Sequence, residues 1–303
     1  MNASLALGTY RIPAETLTAA ARRAAGAPSG WIDTAPNYCG GRAHRLLAPV
    51  LADHPGLPVA TKAGYLTAPV ARAAHAAGVL PSADLRHNLA PAYVRWQTDR
   101  SRTELGRPRL DGMFLHNPEH HHGDDQAVTG MLREAFAVLE ETAQAGGIAG
   151  YGVATWSGFS DGLFTVPMLD RLAAEAAGSA EHHLRFLQLP VSLVMATHLD
   201  EALDETGPIA AAAERGWEVH TSAPLHGGEL LSLATREIAD LVRPGASVAA
   251  ACLAAAVSCP GVTKVLLATG KAAHWDEALA VTGGPAIPPA TLRTVLDVLA
   301  APV

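Results

Sequence analysis

Short apolar segments alternate with longer amphipathic segments along all 303 residues of the chain. The short segments are typical of buried strands, and the longer ones repeat apolar residues at helical spacing. The predicted strands are Leu5–Tyr10, Trp31–Thr34, Val59–Lys62, Leu110–His116, Ile148–Ala154, Phe186–Pro190, Trp217–Ser222 and Val265–Thr269. The predicted helices include Ala14–Ala25, Arg42–Leu51, Ala92–Leu105, Ala127–Ala145, Pro208–Arg215 and Ser247–Ser258.

Strands that each precede a helix-length segment predict a parallel sheet. Eight such repeats over this length favour a closed (β/α)8 TIM barrel over an open doubly wound sheet. No linker or change of composition divides the chain, so residues 1–303 are predicted to form a single domain. The segments His116–Asp125 and Gly64–Ser82 are predicted loops at the C-terminal ends of the strands, where barrels carry their active sites.

Composition narrows the class of protein. The hydrophobic content of 49% is ample for a buried core, and a net charge of -7 argues against nucleic acid or an anionic membrane as partner. Cys39, Cys252 and Cys259 form neither a disulfide framework nor a metal-ligand spacing, and they suit a reducing cytosol. No signal peptide is predicted, because the N-terminus lacks a basic start and an apolar core, and the longest apolar run, Val248–Val257, is too short for a membrane span. We therefore expect a cytoplasmic protein that acts on a small molecule, with its oligomeric state left open.

Four titratable residues lie at or just beyond the ends of predicted strands two, three and four: Asp33, Tyr38, Lys62 and His116. A tyrosine, with an ordinary pKa of about 10, is a poor acid at neutral pH, but a neighbouring ammonium lowers its pKa. A carboxylate can hold that ammonium in place, and a histidine can polarise a carbonyl. Since these strand ends converge in a barrel, the four residues predict a proton-donor site.

With these residues in place, the chain resembles the aldo-keto reductases over nearly its whole length. The first similar segment is Asp33-Thr34-Ala35-Pro36-Asn37-Tyr38-Cys39, where the family has glycine in place of Cys39. Further similar segments follow in the family's order: Thr61-Lys62, Leu89–Val94, Phe114–Pro118, Gly150–Val153, Leu187-Gln188, Ala223–Leu225 and Thr269-Gly270. Each short segment is weak evidence, and their ordered succession carries the resemblance.

The resemblance implies that NADPH or NADH delivers hydride to an aldehyde or ketone while Tyr38 protonates the oxygen. It also implies that Lys62, paired with Asp33, lowers the pKa of Tyr38 and that His116 orients the carbonyl. The family binds its cofactor extended across the barrel without a Rossmann fold. The absence of a Gly-x-Gly-x-x-Gly segment after the first strand is consistent with this.

The nicotinamide contacts implied by the resemblance are partly altered here. Many members hold the carboxamide with Ser-Asn after strand five, where this chain has Ala154-Thr155. Gln188, a second carboxamide contact, is retained, while Ser222 stands where the family often has a stacking aromatic ring. Ala278 stands near the last helix where an asparagine commonly meets adenine.

Two segments are candidates for the dinucleotide phosphates, because helix N-termini and turn amides bind phosphate well. One is the backbone from Leu225 to Leu230, and the other is Thr269-Gly270-Lys271-Ala272-Ala273-His274. Lys271 could select NADP by contacting its 2′-phosphate, with assistance from His274. NADP is the expected cofactor, NAD is a possible one, and loss of cofactor binding stays open.

Two other classes of function therefore stay open. A cofactor-independent lyase, dehydratase or isomerase would use Tyr38 and Lys62 as an acid–base pair on the same barrel. A non-catalytic binding barrel is disfavoured by the complete set of four titratable residues.

Three further features each allow both a functional and a purely structural interpretation. His120-His121-His122 with Asp124-Asp125 suggests a metal, but consecutive histidines cannot all face one ion, so a solvated loop is expected. Gly158-Phe159-Ser160-Asp161-Gly162 matches the Gly-x-Ser-x-Gly nucleophile elbow, but residues 163–167 begin no clear helix, so Ser160 is expected to be dispensable.

The third feature is a set of large aromatic residues that follow predicted strands. Tyr10, Tyr65 and Trp156 follow strands one, three and five, and they either line a substrate pocket or pack against the barrel. Trp96 lies in a helix and is expected to pack.

Overall fold

The computed structural model describes residues 2–27, 30–120 and 125–301, and its parallel strands close into a barrel. Each strand pairs with the next, and the last pairs with the first through Ser4↔Lys264 and Leu7↔Leu267. The strands are β1 (Ser4–Gly8), β2 (Ile32–Asp33), β3 (Val59–Ala63), β4 (Gly112–His116), β5 (Tyr151–Ala154), β6 (Leu184–Pro190), β7 (Glu218–Ser222) and β8 (Lys264–Leu267). The predicted (β/α)8 barrel is thus confirmed.

Thirteen α-helices are found over the described ranges. They are α1 (Ala14–Ala25), α2 (Ala43–Asp53), α3 (Ala68–Ala76), α4 (Pro91–Leu105), α5 (Asp125–Gln144), α6 (Val166–Ala177), α7 (Thr197–Leu203), α8 (Gly207–Glu214), α9 (Leu230–Leu233), α10 (Arg236–Val242), α11 (Val248–Val257), α12 (Ala272–Gly283) and α13 (Pro289–Ala300). None of the described helices combines the length and hydropathy needed to cross a bilayer.

Side chains alternate between two cores along each strand, because successive residues of a strand point to opposite faces. Leu5 and Leu7 of β1 point outward into the core shared with the helices, whereas Ala6 points into the barrel. The inward layer also contains Phe114 and Phe186. The residue two positions further along each strand must then also point inward, at the C-terminal end of the barrel.

An aromatic layer fills the interior below that end. The Trp31 ring lies 6.0 Å from that of Phe186 and 5.2 Å from that of His220, between ring centroids. At the N-terminal ends of the strands, Lys264 pairs with Glu218, and the neighbouring His220 and Lys264 side chains lower the pKa of Glu218 to about 2. We call Trp31, Phe114, Phe186 and His220 the aromatic floor.

Two sequence expectations are wrong in detail. The segment Gly64–Ser82 is not only a loop, since it contains α3. This helix is rich in alanine and has Pro69 in its first turn. A helix does begin within residues 163–167, since α6 starts at Val166 and the Thr165 hydroxyl accepts from Met168 N–H at 3.3 Å. Cys252 and Cys259 are both buried in the apolar core.

Candidate active site

The strand alternation delivers a polar layer directly above the aromatic floor. Lys62, His116 and Gln188 each lie two residues beyond an inward-facing residue of β3, β4 and β6, namely Ala60, Phe114 and Phe186. Asp33 follows the outward-facing Ile32 in β2, so it also points inward. The predicted convergence of strand ends therefore follows from the period of two.

Asp33 is the centre of this layer. Lys62 Nζ donates to Asp33 Oδ1 at 2.5 Å and to the Thr34 carbonyl at 3.0 Å. Gln188 Nε2 donates to the other oxygen, Oδ2, at 2.8 Å. All three side chains are buried, so both carboxylate oxygens are satisfied by donors from across the barrel.

Tyr38 lies in the turn that follows β2, and its amide N–H donates to the Ala35 carbonyl at 3.1 Å. Lys62 Nζ lies 5.2 Å from the centroid of the Tyr38 ring, and the His116 ring meets the same ring edge-on at 6.2 Å. The structure thus brings the four predicted residues together.

The electrostatics differ from the expectation drawn from Lys62 alone. Burial, and then the charge of Asp33, raises the pKa of Tyr38 well above its ordinary value instead of lowering it. Burial also lowers the pKa of Lys62, against the opposing attraction of Asp33. Tyr38 is consequently a neutral phenol that holds its proton at physiological pH.

His116 is held as a neutral imidazole. Burial lowers its pKa well below the usual range, and the charges of Lys62, His87 and His120 act in the same direction. His87 Nε2 donates to the His116 carbonyl at 2.7 Å, which fixes the end of β4. A neutral imidazole in this position can donate a hydrogen bond to an oxygen without acting as the acid.

Tyr10, Tyr65 and Trp156 lie on the loops that follow β1, β3 and β5, which we call the barrel mouth together with the other loops on that side. Tyr10 is 54% exposed and its ring lies 5.2 Å from that of Tyr38, while Trp156 is 45% exposed. The Tyr65 ring meets the His116 ring edge-on at 4.8 Å, and its hydroxyl bonds to His120 Nδ1. Tyr10 and Tyr65 therefore border the space above the polar layer, and Trp156 lies exposed on the loop after β5.

The expected carboxamide contact at Thr155 already has a partner within the chain. Thr155 Oγ1 donates to Glu119 Oε2 at 2.9 Å, and the Trp156 and Ser157 amides donate to Glu119 Oε1 at 2.6 and 3.1 Å. Gln188 is likewise engaged with Asp33. Ser222, at the end of β7, is partly buried.

The expected phosphate contacts lie where the fold can present them. Lys271 and His274 are exposed at the start of the twelve-residue helix α12, and Lys271 N–H donates to Thr269 Oγ1 at 3.2 Å. Gly270 packs against Thr16 of α1, since an added Cβ would lie 2.5 Å from its Oγ1. The N-terminus of α12 thus combines the positive end of the helix dipole with the exposed side chains of Lys271 and His274.

A second cationic group adjoins the loop that begins at Leu225. A Cβ added at Gly227 would lie 3.1 Å from Arg11 Nη1, so the Arg11 guanidinium lies against that loop. The loop amides and these cations fit the phosphates of a dinucleotide, while Gln188 keeps its carbonyl oxygen and second N–H for the nicotinamide end.

Sequence reasoning missed Arg11, His87 and Glu119. His87 lies far from any predicted strand end. Arg11 directly follows the predicted strand Leu5–Tyr10, and Glu119 follows His116 by three residues in a predicted loop, and these positions are the signals that could have identified them. Of the histidine-rich segment, His121, His122 and Asp124 lie outside the described residues. Within the described part of the chain, no cluster of His, Cys, Asp or Glu is arranged to hold a metal.

The mouth loops also hold residues in strained backbone conformations. Of the six described non-glycine residues with positive φ, five follow strand ends. They are Arg11, Cys39, Asn117, Ala223 and His226, with φ between 48° and 59°. Such strain concentrates at functional sites because the surrounding structure must hold it in place.

Solved structures share this architecture. An aldo/keto reductase from Klebsiella pneumoniae, in complex with NADP and acetate, superposes with a TM-score of 0.69 at 18% identity, over 99% of this chain and 92% of that one. A glycerol dehydrogenase from Gluconobacter oxydans gives a TM-score of 0.69 at 21% identity, over 99% and 93%. A thermostable aldo-keto reductase, Tm1743, in complex with the inhibitor epalrestat, gives 0.68 at 17% identity, over 97% and 94%. At these identities the likeness shows the fold alone.

The family assignment comes from the sequence itself. No curated protein sequence matches the chain significantly. The sequence model of the aldo/keto reductase family, however, matches residues 3–282. That range contains all eight strands and every residue of the polar layer. The chain therefore belongs to the aldo/keto reductase family.

Proposed function

We propose that this protein is an NAD(P)H-dependent oxidoreductase that interconverts a small aldehyde or ketone with its alcohol, as a single-domain cytoplasmic enzyme. The observation that carries the proposal is the buried Asp33–Lys62 pair beneath the neutral Tyr38 phenol and the neutral His116 imidazole. A buried ion pair is costly to retain for stability alone, which favours a role in chemistry.

In this proposal Tyr38 donates its proton to the substrate oxygen, and His116 donates a hydrogen bond that orients the same oxygen. The Lys62 ammonium, 5.2 Å from the Tyr38 ring centroid, stabilises the phenolate as it forms. Asp33 holds Lys62 in place through Oδ1, and Gln188 holds Asp33 through Oδ2. Tyr10, Tyr65 and Trp156 border the carbonyl compound and exclude water from the transfer.

The nicotinamide cofactor supplies the hydride when it is bound. Arg11, Lys271 and His274 would hold its phosphates together with the amides of the Leu225 loop and of α12, with Thr269 and Gly270 shaping that turn. A contact between Lys271 and the 2′-phosphate, which only NADP carries, would favour NADP over NAD. Gln188 and Ser222 would border the nicotinamide. Thr155 would also border it, in the loop whose position is fixed by the hydrogen bonds to Glu119.

One observation favours a second candidate, which is cofactor-independent acid–base chemistry at Tyr38 and Lys62. The Thr155 hydroxyl donates to Glu119, and one N–H of Gln188 donates to Asp33, so fewer groups are left for a carboxamide. A lyase, dehydratase or isomerase would need no carboxamide contacts.

The first experiment separates these candidates. Titration of the protein with NADPH and with NADH, by fluorescence and calorimetry, is expected to give micromolar binding with tighter binding of NADPH. A folded protein that binds neither cofactor would overturn the oxidoreductase proposal and favour the second candidate.

The second experiment addresses the proton donor. Tyr38→Phe is expected to lower kcat for cofactor-dependent carbonyl reduction by about 10²–10⁴-fold, because general acid catalysis contributes that much, while cofactor affinity persists. Tyr10→Phe, which removes a hydroxyl from the adjacent exposed ring, is the matched control and should lose far less. A fully active Tyr38→Phe enzyme would overturn the assignment of Tyr38.

A further inference from the structure

The Gly158–Gly162 segment acquires partners that its sequence did not reveal. Ser160 is exposed in the turn after β5, and its Oγ lies 3.4 Å from Nε2 of His198 in α7. His198 Nδ1 lies 2.8 Å from Glu201 Oε2, one turn further along the same helix. Hydroxyl, imidazole and carboxylate therefore stand in line, as in a nucleophile–base–acid arrangement.

The surroundings fix the imidazole in the orientation that this arrangement needs. The His198 side chain is 8% exposed, and the Phe159 ring meets it edge-on at 6.4 Å. Donation from Nδ1–H to Glu201 leaves the Nε2 lone pair free to accept the Ser160 proton. The imidazole is thus buried and oriented, while the serine is open to solvent.

Glu201 is also held by its neighbours. Gly207, with φ of +74°, lets the backbone approach closely, since an added Cβ would lie 2.5 Å from Glu201 Oε2. The Thr206 amide donates to the Glu201 carbonyl at 2.9 Å. The backbone of Glu201 is therefore anchored to the start of α8, and its carboxylate lies against Gly207 with the side chain 37% exposed.

We propose that Ser160, His198 and Glu201 form a second nucleophilic site, separate from the polar layer, that accepts an acyl group from activated esters. Ser160 Oγ attacks the acyl carbon while its proton passes to His198 Nε2. The bond from the acyl carbon to the leaving oxygen breaks, and the alcohol or phenol departs with that proton. Water then cleaves the acyl-serine ester, which returns Ser160 and a carboxylic acid.

The local backbone sets the class of ester. The amide of Asp161, the residue after the nucleophile, is the usual oxyanion donor of an elbow, but here it donates to the Ser157 carbonyl at 2.8 Å. Loss of one such donor costs about 10²–10³-fold in rate. The site therefore accepts only esters with good leaving groups, such as phenyl esters, and releases the acyl group slowly.

The test uses p-nitrophenyl acetate with the full-length protein and no nicotinamide, so its result is independent of the proposed oxidoreductase activity. We expect a burst of about one equivalent of p-nitrophenol per chain followed by slow turnover, as acyl-enzyme formation predicts. Intact mass should rise by one acetyl group, and peptide mapping should locate that group on Ser160.

Ser160→Ala is expected to abolish the burst and the mass gain, and His198→Gln to slow labelling at least tenfold with the circular dichroism spectrum unchanged. Ser232→Ala is the matched control, because that exposed serine bonds to the Glu229 carbonyl and not to a histidine. It should label like the wild type. Acetylation elsewhere, no burst, or Ser160 labelling that His198→Gln leaves unchanged would overturn the proposal.

Discussion

Asp33 is the residue on which the buried polar layer depends, because it is the shared acceptor of Lys62 and Gln188. Its side chain is 4% exposed and that of Lys62 is 1% exposed, so neither charge is compensated by solvent. An ammonium in such a place tolerates burial only while its counter-charge is present. The stability of the polar layer and the proposed proton transfer therefore both depend on the Asp33 carboxylate.

Asp33→Asn is expected to reduce the free energy of unfolding by about 3–5 kcal/mol, because it leaves the Lys62 ammonium buried without its counter-charge. The reduction should narrow toward alkaline pH, since burial already lowers the pKa of Lys62 and the neutral amine tolerates burial. Urea unfolding followed by circular dichroism measures both effects.

The double variant Asp33→Asn/Lys62→Met is the control for this pair, because it removes the stranded charge while keeping a long side chain. It should recover much of the lost stability. A single variant that loses less than about 1 kcal/mol would show that the pair behaves like an exposed one.

At the scale of elements, the junction between β3 and its loop positions the end of β4. Gly64 has φ of +153°, and a Cβ there would lie 2.7 Å from the His116 carbonyl oxygen and 2.9 Å from the His116 Cβ. The glycine thus lets the two strand ends approach closely enough for His116 to face Tyr38.

Gly64→Ala is expected to lower the free energy of unfolding by about 1–3 kcal/mol, from backbone strain and the displacement of β4. It should also lower kcat of the proposed reaction, because the His116 imidazole would move away from the carbonyl oxygen of the substrate. Gly56→Ala is the matched control, since an added Cβ there meets nothing within 4 Å. Equal stability of the two variants would contradict the positioning role of Gly64.

The strand ends were predictable, whereas several contacts between side chains were not. Apolar runs that end in Asp33, Lys62 and His116 indicate both the strand and the position at which it reaches the mouth. The Gln188–Asp33 bond joins residues 155 positions apart, and only the packed barrel decides which acceptor the amide chooses. Similarly, Thr155 is a hydrogen-bonding side chain in any interpretation, but its engagement with Glu119 depends on how two loops fold together.

For the molecule as a whole, buried histidines link folding to pH. Burial lowers the pKa of His44, His116 and His220 below the ordinary value of 6.5. The unfolded chain therefore takes up protons near that pH while the folded protein does not. The stabilisation is fully present above pH 6.5 and declines as the pH falls below it.

The free energy of unfolding is expected to fall from about pH 7 to about pH 5.5, with each buried histidine contributing up to about 1.4 kcal/mol per pH unit. His220→Met should flatten this slope, because it removes one of these groups from the aromatic floor. Urea unfolding across the pH series measures the slope.

His54→Gln, at an exposed position, is the control and should leave the slope unchanged. Glu218 does not contribute to the slope between pH 7 and pH 5.5, because its lowered pKa affects the free energy of unfolding only below the ordinary glutamate value of 4.5. An unchanged slope in His220→Met would contradict the assignment.

The aromatic floor has a kinetic consequence. The aromatic floor of Trp31, Phe114, Phe186 and His220 fills the interior of the barrel beneath the polar layer. A substrate and its product would therefore both have to pass through the barrel mouth. In the proposed reaction, the loops that carry Tyr10, Trp156 and His226 would therefore affect substrate entry and product release alike. Rigidifying these loops would slow both steps, so the rate of turnover would depend on the barrel mouth as well as on Tyr38.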